Sequence, residues 1–155
     1  MTDPFQNVDA AGEEFIAAFA DSMDARQSDP KMESIVATYL SKLNFPEGSW
    51  TVEVGAGAGA VTRRIAAKAE PERVVAFEPS SGFVKVARDR AKQHANVTFE
   101  VADGTALPLD DNSVHNLILH TVLTHVMDPA LLLQEARRVL KSDGCLVVCD
   151  ADFSK

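Results

Sequence analysis

Three alternating glycines follow an apolar strand in Thr51-Val52-Glu53-Val54-Gly55-Ala56-Gly57-Ala58-Gly59-Ala60-Val61-Thr62. Glycine lets the backbone turn tightly and approach a ligand closely, because no Cβ stands in the way. The helical pattern that begins directly after the loop would offer unpaired N–H groups and the positive end of a helix dipole. The stretch therefore predicts a ligand-binding crevice at the carboxyl end of the first strand of an open α/β sheet.

The glycine loop by itself leaves two ligand classes open. Gly55-x-Gly57-x-x-Ala60 satisfies the dinucleotide fingerprint, so an NAD-dependent oxidoreductase is one interpretation. Glu53 argues for another, because a carboxylate two residues before the first glycine would repel a pyrophosphate and suits a ligand that carries an ammonium group. In these residues the chain resembles class I S-adenosylmethionine-dependent methyltransferases, whose first motif reads hydrophobic-acidic-hydrophobic-Gly-x-Gly-x-Gly.

Composition narrows the functional classes. The 155 residues, with 46% hydrophobic and 25% charged side chains, are typical of one soluble globular domain. A net charge of −8 disfavours a nucleic-acid binder, which usually carries a basic face. Neither a membrane span nor a signal peptide is predicted. Cys145 and Cys149 would lie about 13 Å apart in one strand, too far for a disulfide, and are interpreted as small core residues in a reducing cytoplasm.

Hydrophobic periodicity predicts two helices followed by alternating strands and helices. Residues 1–48 are expected to form a helical cap, in which Asp29 and Pro30 begin the second helix, and residues 49–155 the ligand-binding domain. The predicted strands are 50–54, 73–78, 97–101, 114–119 and 145–149, and the helices between them are 58–69, 80–93 and 129–141. Near-continuous apolar strands separated by helices indicate an α/β fold, a Rossmann-like three-layer sandwich with a mostly parallel sheet.

Acidic residues stand at the ends of the second and third strands. Glu78 lies about twenty residues beyond the glycine loop, where a carboxylate accepts hydrogen bonds from ribose hydroxyls. As a strand-end acid, it is expected to contribute little to the core. Asp103 follows the third strand beside an apolar loop, a setting that suits the edge of an adenine ring.

Two further segments carry the resemblance to a family. They are Leu119-His120-Thr121-Val122-Leu123-Thr124-His125-Val126-Met127-Asp128-Pro129 and Glu135-Ala136-Arg137-Arg138-Val139-Leu140-Lys141-Ser142-Asp143-Gly144. Together with the glycine loop, they resemble the signature of small-molecule methyltransferases of the ubiquinone-biosynthesis type, from Trp50 to Asp152. The resemblance implies the strand order 3-2-1-4-5, S-adenosylmethionine as cofactor and a small molecule as methyl acceptor.

The resemblance also implies roles for the site residues on the methionine side. Glu53 and the loop Gly55-Ala56-Gly57-Ala58-Gly59 would hold the methionine portion, and His120 would line it. Arg26, expected in the connection between the two leading helices, would pair with the methionine carboxylate. His120 or His125 could act as a general base if the acceptor must lose a proton, since histidine titrates near neutral pH.

On the adenosine side, the resemblance implies two carboxylates. Glu78, with Pro79 beside it, would bind the ribose hydroxyls. Asp103, with Gly104 after it, would bind the adenine.

The sequence stops a few residues after the fifth strand, whereas methyltransferases of this type usually continue with another helix and two more strands. A fifth strand at the sheet edge would expose apolar residues and unpaired backbone groups. We expect a homodimer through this edge, or through an exchanged N-terminal helix, and a cofactor-binding fragment without turnover is the alternative to an active methyltransferase. Asp150 and Asp152 after this strand lack a third ligand in the sequence, so no metal site is predicted.

Overall fold

The computed structural model describes residues 3–152. A 3-10 helical segment, Pro4–Ala11, comes first. It is followed by α1 (Glu13–Gln27), α2 (Pro30–Leu40), β1 (Trp50–Val54), α3 (Ala60–Ala69), β2 (Arg73–Glu78), α4 (Ser81–Arg90), β3 (Val97–Val101), β4 (Val114–His120), α5 (Pro129–Val139) and β5 (Leu140–Cys149). Residues 1–2 of the predicted cap and 153–155 of the predicted domain lie outside the described residues.

The five strands form one parallel sheet in the order β3-β2-β1-β4-β5, which confirms the predicted order. β1 is the central strand, and its Val54 aligns with Phe77 of β2 on one side and with Leu119 of β4 on the other. Ligands of such sheets bind outside the carboxyl ends of the strands, at the point where the strand order reverses. That point lies between β1 and β4, and the glycine loop follows β1 directly.

Helices cover both faces of the sheet, because successive side chains of a strand point to opposite faces. On one face, Val52 packs with Leu132 of α5. On the other face, Ile118 packs with Ile65 of α3 and Val36 of α2. Each of these five side chains is at most 1% exposed, so the chain buries two apolar layers, as the three-layer prediction requires.

Three helices begin at side-chain caps that the sequence contains. Asp29 at α2, Ser80 at α4 and Asp128 at α5 each accept a hydrogen bond from a backbone N–H of the first turn. Pro30 and Pro129 occupy the first helical positions of α2 and α5, where a missing N–H has no cost. The predicted starts of these two helices are confirmed.

The N-terminal region differs from the prediction in two respects. The segment Pro4–Ala11 is a 3-10 helix that the apolar periodicity does not indicate. In addition, α1 continues through Gln27, so Arg26 lies in its last turn and not in the connection between the helices. The backbone N–H of Ser28 closes this turn by donating to the carbonyl of Asp24. A cation is also favourable near the negative end of a helix dipole.

The fifth strand begins at Leu140, directly after α5, and not at Cys145 as predicted. The register of β5 against β4 shifts between Val114 and Asn116, so the extra residues of β5 form a bulge. Cys145 is exposed and Cys149 is partly exposed, so the interpretation of both as core residues is wrong. The reason is that β5 is an edge strand, and within residues 3–152 no element pairs with its outer side.

Ion pairs connect α1 to α3 and α4. Asp24 lies 2.5 Å from Arg63 of α3 and 2.5 Å from Arg90 of α4. Asp21 makes a second contact to Arg90 at 2.6 Å. Because one aspartate bridges α3 and α4, α1 is fixed against the first turn of α3 and the last turn of α4. No helix within residues 3–152 has the length and apolarity needed to cross a membrane.

Candidate cofactor site

The loop between β1 and α3 turns through three glycines with left-handed backbone angles. Gly55, Gly57 and Gly59 have φ values of 75°, 53° and 80°, which side-chain-bearing residues rarely adopt. The N–H groups of Gly55 and Ala56 both donate to the carbonyl of Phe77, at 2.8 and 3.1 Å, and this ties the loop to the end of β2. The sequence prediction of a tight glycine turn is confirmed in its geometry.

Neighbouring side chains approach the loop so closely that they leave no room for a Cβ. A Cβ on Gly55 would lie 2.7 Å from Val122, and one on Gly59 would lie 2.9 Å from the ring of Phe99. A Cβ on Gly57 would lie 2.9 Å from the sulfur of Met23 in α1. Helix α1 therefore covers the loop directly, and any ligand on Gly57 must share this space with Met23.

Glu53 is buried beneath the loop, at 2% exposure. Its Oε2 accepts a hydrogen bond of 2.5 Å from the hydroxyl of Thr62 in α3. Burial raises the pKa of Glu53 to about 8, and the nearby carboxylate of Glu78 adds to the rise, whereas the Thr62 hydroxyl opposes it. A buried carboxyl group with a hydroxyl as its hydrogen-bond partner would be stabilised in its charged form by a cation.

Glu78, at the end of β2, is buried and holds the glycine loop in place through hydrogen bonds. It is 8% exposed, and its carboxylate accepts one hydrogen bond from the N–H of Gly57 and one from the N–H of Ser80, each of 2.9 Å. Burial raises its pKa, and these two N–H donors oppose the rise. The expectation that Glu78 contributes little to the folded structure is wrong, since it connects the glycine loop to the start of α4. Pro79 is exposed beside it.

Asp103 and Gly104 lie in the loop that follows β3, at the same edge of the sheet. Asp103 is exposed, and its Oδ1 accepts hydrogen bonds of 2.8 Å from both the N–H and the hydroxyl of Thr105. A Cβ on Gly104 would lie 2.5 Å from Val54 and 2.8 Å from Leu132. Gly104 therefore lets this loop approach the core closely, a packing role in addition to the one expected from the sequence.

His120 at the end of β4 is 4% exposed and has both ring nitrogens in contact with protein groups. Its Nε2 lies 3.2 Å from the side-chain Nε2 of Gln27, and its Nδ1 lies 3.1 Å from the hydroxyl of Tyr39. With the amide oriented this way, Gln27 donates to Nε2 and the ring proton lies on Nδ1. Burial lowers the pKa of His120 to about 4, and the charge of Arg26 contributes. Because the ring of His120 is neutral and both of its nitrogens already contact protein groups, a role as general base is disfavoured.

The two remaining sequence candidates lie at the rim. Arg26 is exposed in the last turn of α1, and its positive charge contributes to the lowered pKa of His120. His125, in the loop between β4 and α5, pairs through Nδ1 with Asp3 at 2.8 Å and lies against the ring of Phe5, with 4.6 Å between ring centroids. The N-terminal segment thus reaches across the mouth of the site.

Sequence reasoning missed four residues of the site: Met23, Gln27, Tyr39 and Thr62. Thr62 gave a usable signal, because it is a polar residue on the apolar face of α3. The other three come from α1 and α2, and their approach to the loop depends on tertiary packing that helical periodicity does not define. Within residues 3–152, no group of three or more His, Cys, Asp or Glu side chains could hold a metal ion.

Two open cavities lie outside the crevice itself. One lies between α4 and β3, and its lining includes Arg88, Ala91 and Phe99. The other lies between α1 and α3, and its lining includes Gln27 and Arg64. The second cavity borders the methionine side of the predicted site.

Comparison with known proteins agrees with this geometry. Residues 52–148, more than half of the chain, match the family model described as a methyltransferase domain. The chain belongs to the methyltransferase domain family. Demethylmenaquinone methyltransferase from Tropheryma whipplei is 34% identical over 108 residues, which are 70% of this chain and 44% of that protein. An uncharacterized 37.1 kDa protein of transposon TN4556 from Streptomyces fradiae is 35% identical over 121 residues, 77% of this chain and 35% of the relative.

Solved structures place this methyltransferase domain in the same fold. A SAM-dependent methyltransferase from Aquifex aeolicus aligns with a TM-score of 0.72 at 22% identity, over 86% of this chain and 76% of that one, and shows the shared fold. A putative methyltransferase in complex with the Trm112 activator of Haloferax volcanii aligns with a TM-score of 0.70 at 27% identity, over 84% and 58% of the two chains. The methyltransferase domain is of the S-adenosylmethionine-dependent class. It spans less than half the length of the two curated relatives named above.

Proposed function

We propose that this methyltransferase domain binds S-adenosylmethionine in the crevice at the ends of β1, β2 and β4 and supports methyl transfer to a small molecule. The observation that carries the proposal is the arrangement of Glu53 and Glu78 around the glycine loop. One carboxyl group is buried below the loop with a hydroxyl partner, and the other organises the loop itself. The family membership and the small-molecule methyltransferases among the relatives support the same activity.

The residues present fit this cofactor from one end to the other. Glu53 would neutralise the ammonium group, Glu78 would accept hydrogen bonds from the ribose, and Asp103 would face the adenine edge. A carboxylate accepts through two oxygens with about four lone-pair positions, so Glu78 keeps acceptor capacity beside its two N–H donors. The backbone of Gly57 carries no Cβ, so a ligand can approach it on the side that it shares with Met23. The oxidoreductase alternative is less well supported, since the carboxylate form of Glu53 below the loop would oppose a pyrophosphate, whereas Glu78 suits the ribose of either ligand.

When bound, S-adenosylmethionine supplies a methyl group already activated by its sulfonium, so the protein must position the acceptor in line with it and exclude water. Met23 and the ring of Phe5 belong to the N-terminal segment that covers the methionine side of the site. His120 holds the end of β4 against α1 and α2 through Gln27 and Tyr39. The charge of Arg26, the sequence candidate for the methionine carboxylate, faces the same end.

If the acceptor must lose a proton, His125 is a better candidate base than His120. Its Nδ1 contacts the carboxylate of Asp3, an arrangement that orients the ring and leaves Nε2 to accept a proton. His125 is also about one-third exposed, so a substrate proton could reach it.

A cofactor-binding domain without turnover of its own is the second candidate. One solved structure of similar fold is named the [4+2]-cyclase SpnF, with a TM-score of 0.69 at 25% identity, so the fold alone does not specify methyl transfer. Single-turnover methyl transfer separates the two candidates.

Further proposals concern the surroundings of the site. We propose that residues 1–48 act as a cap over the domain formed by 49–155, and that two copies associate through the edge strand β5. We also propose a cytoplasmic setting for the chain. The net charge of −8 supports a small molecule over a nucleic acid as the acceptor.

Thermal unfolding with three ligands tests the proposed function. S-adenosylmethionine and S-adenosylhomocysteine should each stabilise the fold by about 2.7 kcal/mol at 100 times the dissociation constant, and NAD should not. Stabilisation by NAD without any by S-adenosylhomocysteine would contradict the proposal.

A further inference from the structure

Two buried polar atoms beside the methionine side of the site have no hydrogen-bond partner within residues 3–152. They are the amide oxygen Oε1 of Gln27 and the guanidinium nitrogen Nη1 of Arg64. A third such atom, the hydroxyl of Ser49, lies before β1, at the opposite end of that strand. A buried polar group without a partner is destabilising, and two such atoms at one place mark a position where one ligand could satisfy both.

The two residues are in direct contact with each other and with the end of β4. Gln27 ends α1, is 8% exposed, and directs its amide to the ring of His120 at 3.2 Å. Arg64 of α3 donates through Nη2 to the backbone carbonyl of Gln27. The same nitrogen lies 3.2 Å from the carboxylate of Glu33 in α2. These contacts orient the guanidinium and leave Nη1 unused.

The unpaired atoms have complementary chemistry. Gln27 offers an acceptor and Arg64 offers a charged donor, and both line the cavity between α1 and α3. The charges of Arg26 and Arg64 act on the ring of His120, which places both cations near this end of the site. An α-amino acid zwitterion carries the matching pair, an ammonium donor and a carboxylate acceptor.

We propose that Gln27 and Arg64 bind the amino-acid end of the cofactor, with Gln27 Oε1 accepting from its ammonium group and Arg64 Nη1 donating to its carboxylate. This inference rests on S-adenosylmethionine as the ligand and deepens that proposal. It assigns the carboxylate to Arg64, whose guanidinium is already oriented by Gln27 and Glu33, in place of the exposed Arg26. It also makes the end of α1 part of the binding site.

The test uses two pairs of ligands, each matched in its sulfur group. S-adenosylmethionine is compared with decarboxylated S-adenosylmethionine, both sulfonium ions, and S-adenosylhomocysteine is compared with 5′-methylthioadenosine, both thioethers. S-adenosylhomocysteine carries both groups, decarboxylated S-adenosylmethionine lacks the carboxylate, and 5′-methylthioadenosine lacks the whole amino-acid end. Affinities are measured by calorimetry, with competition for the weaker ligands, on the wild-type chain and on Gln27→Met, Arg64→Met, Arg64→Lys and Arg26→Met. Arg137→Met, an exposed arginine of α5, is the control for loss of a positive charge.

Gln27→Met should lower the affinity for S-adenosylhomocysteine about 10- to 100-fold and change the affinity for 5′-methylthioadenosine less than twofold. Arg64→Met should remove the preference of the wild type for ligands with a carboxylate, and Arg64→Lys should restore part of it, because a lysine keeps the charge without the planar fork. The control variant Arg137→Met should bind every ligand of the test with the affinity that the wild-type chain shows. The Lys variant keeps the test valid if Arg64→Met fails to fold.

The inference is overturned if Gln27→Met binds S-adenosylhomocysteine with wild-type affinity. It is also overturned if Gln27→Met lowers the affinities for S-adenosylhomocysteine and 5′-methylthioadenosine equally. A third contrary result is that Arg26→Met, and not Arg64→Met, removes the preference for ligands with a carboxylate. If the wild-type chain binds neither S-adenosylhomocysteine nor S-adenosylmethionine, the proposed function itself fails. The two failures are therefore distinct.

Discussion

Met23 of α1 lies over Gly57 of the glycine loop, so close that a Cβ on Gly57 would stand 2.9 Å from its sulfur. The contact joins the N-terminal helices to the segment that the sequence marks as the binding loop. Because Asp24, the next residue, is paired with both α3 and α4, α1 is held in this position by charge as well as by packing. The site is therefore a layered structure in which the N-terminal helices form one wall.

Gly57→Val should abolish cofactor binding. The β-branched side chain would collide with Met23 or with the ligand, and valine disfavours the φ of 53° found there. Gly48→Val is a matched control, since Gly48 also has a positive φ, of 76°, but has no atom within 4 Å of the new Cβ. Calorimetry with S-adenosylhomocysteine should show binding for the folded control and none for Gly57→Val. Normal binding by a folded Gly57→Val chain would remove the loop from the site.

Glu78→Ala should weaken both ligand binding and folding. The loss in binding free energy should be about 1.5–3 kcal/mol, the range for hydrogen bonds to a charged group. The fold should lose a further about 1–3 kcal/mol, because the N–H groups of Gly57 and Ser80 lose their acceptor. Urea unfolding and calorimetry measure the two effects separately. Glu100→Ala, at an exposed position of β3, should change neither.

If a folded Glu78→Ala chain binds the cofactor with unaltered affinity, Glu78 only stabilises the glycine loop and does not bind the ligand. Loss of stability without loss of affinity would have the same meaning.

The sequence predicted what depends on local pattern. The glycine turn, the cap at Asp29 and a parallel sheet follow from residue types and periodicity, and the strand order follows from the family resemblance. The structure confirms all four. The place of Gln27 against His120 could not be predicted, because the two are 93 residues apart and meet only after α1 packs on the sheet. The early start of β5 also escaped prediction, since helical periodicity continues through Val139 with no breaking residue before Gly144.

Glu53→Gln should change how stability depends on pH. The pKa of Glu53 is raised from an ordinary value near 4.5 to about 8 in the folded chain, so the folded state binds the proton more tightly. Its stabilising contribution is complete below about pH 4.5 and is lost as pH rises towards 8, by up to about 1.4 kcal/mol per pH unit. The amide that replaces the carboxyl group does not titrate, so the variant should show a flatter profile of unfolding free energy against pH.

The comparison is best made between pH 6.5 and 8. His120 acts in the opposite sense at lower pH, because its folded pKa of about 4 lies below the ordinary 6.5 and its contribution is lost as pH falls through that interval. Urea unfolding of both chains at several pH values gives the difference profile. Parallel profiles above pH 6.5 would show that Glu53 is already ionised in the folded state.

The last prediction concerns the edge strand β5. Leu146 and Val148 are 39% and 46% exposed there, and Met127 and Leu131 beside the start of α5 are 88% and 44% exposed. An edge strand with apolar side chains favours pairing with another strand, and a second copy of the chain offers the same edge for a symmetric contact. We therefore expect a dimer at micromolar concentration in sedimentation, and Val148→Lys should dissociate it by placing a charge at the contact.

Thr98→Lys provides the control for Val148→Lys, because Thr98 is an exposed residue of β3, the strand at the opposite edge of the sheet. It adds the same charge to a strand edge and should leave the dimer intact. A substitution at Phe15, which packs on Phe19 within α1 with 4.5 Å between ring centroids, should dissociate the dimer only if the N-terminal helices are exchanged between copies. A wild-type chain that sediments as a monomer at micromolar concentration contradicts both modes of association. A dimer that Val148→Lys leaves intact, and that the Phe15 variant dissociates, would move the contact from β5 to α1.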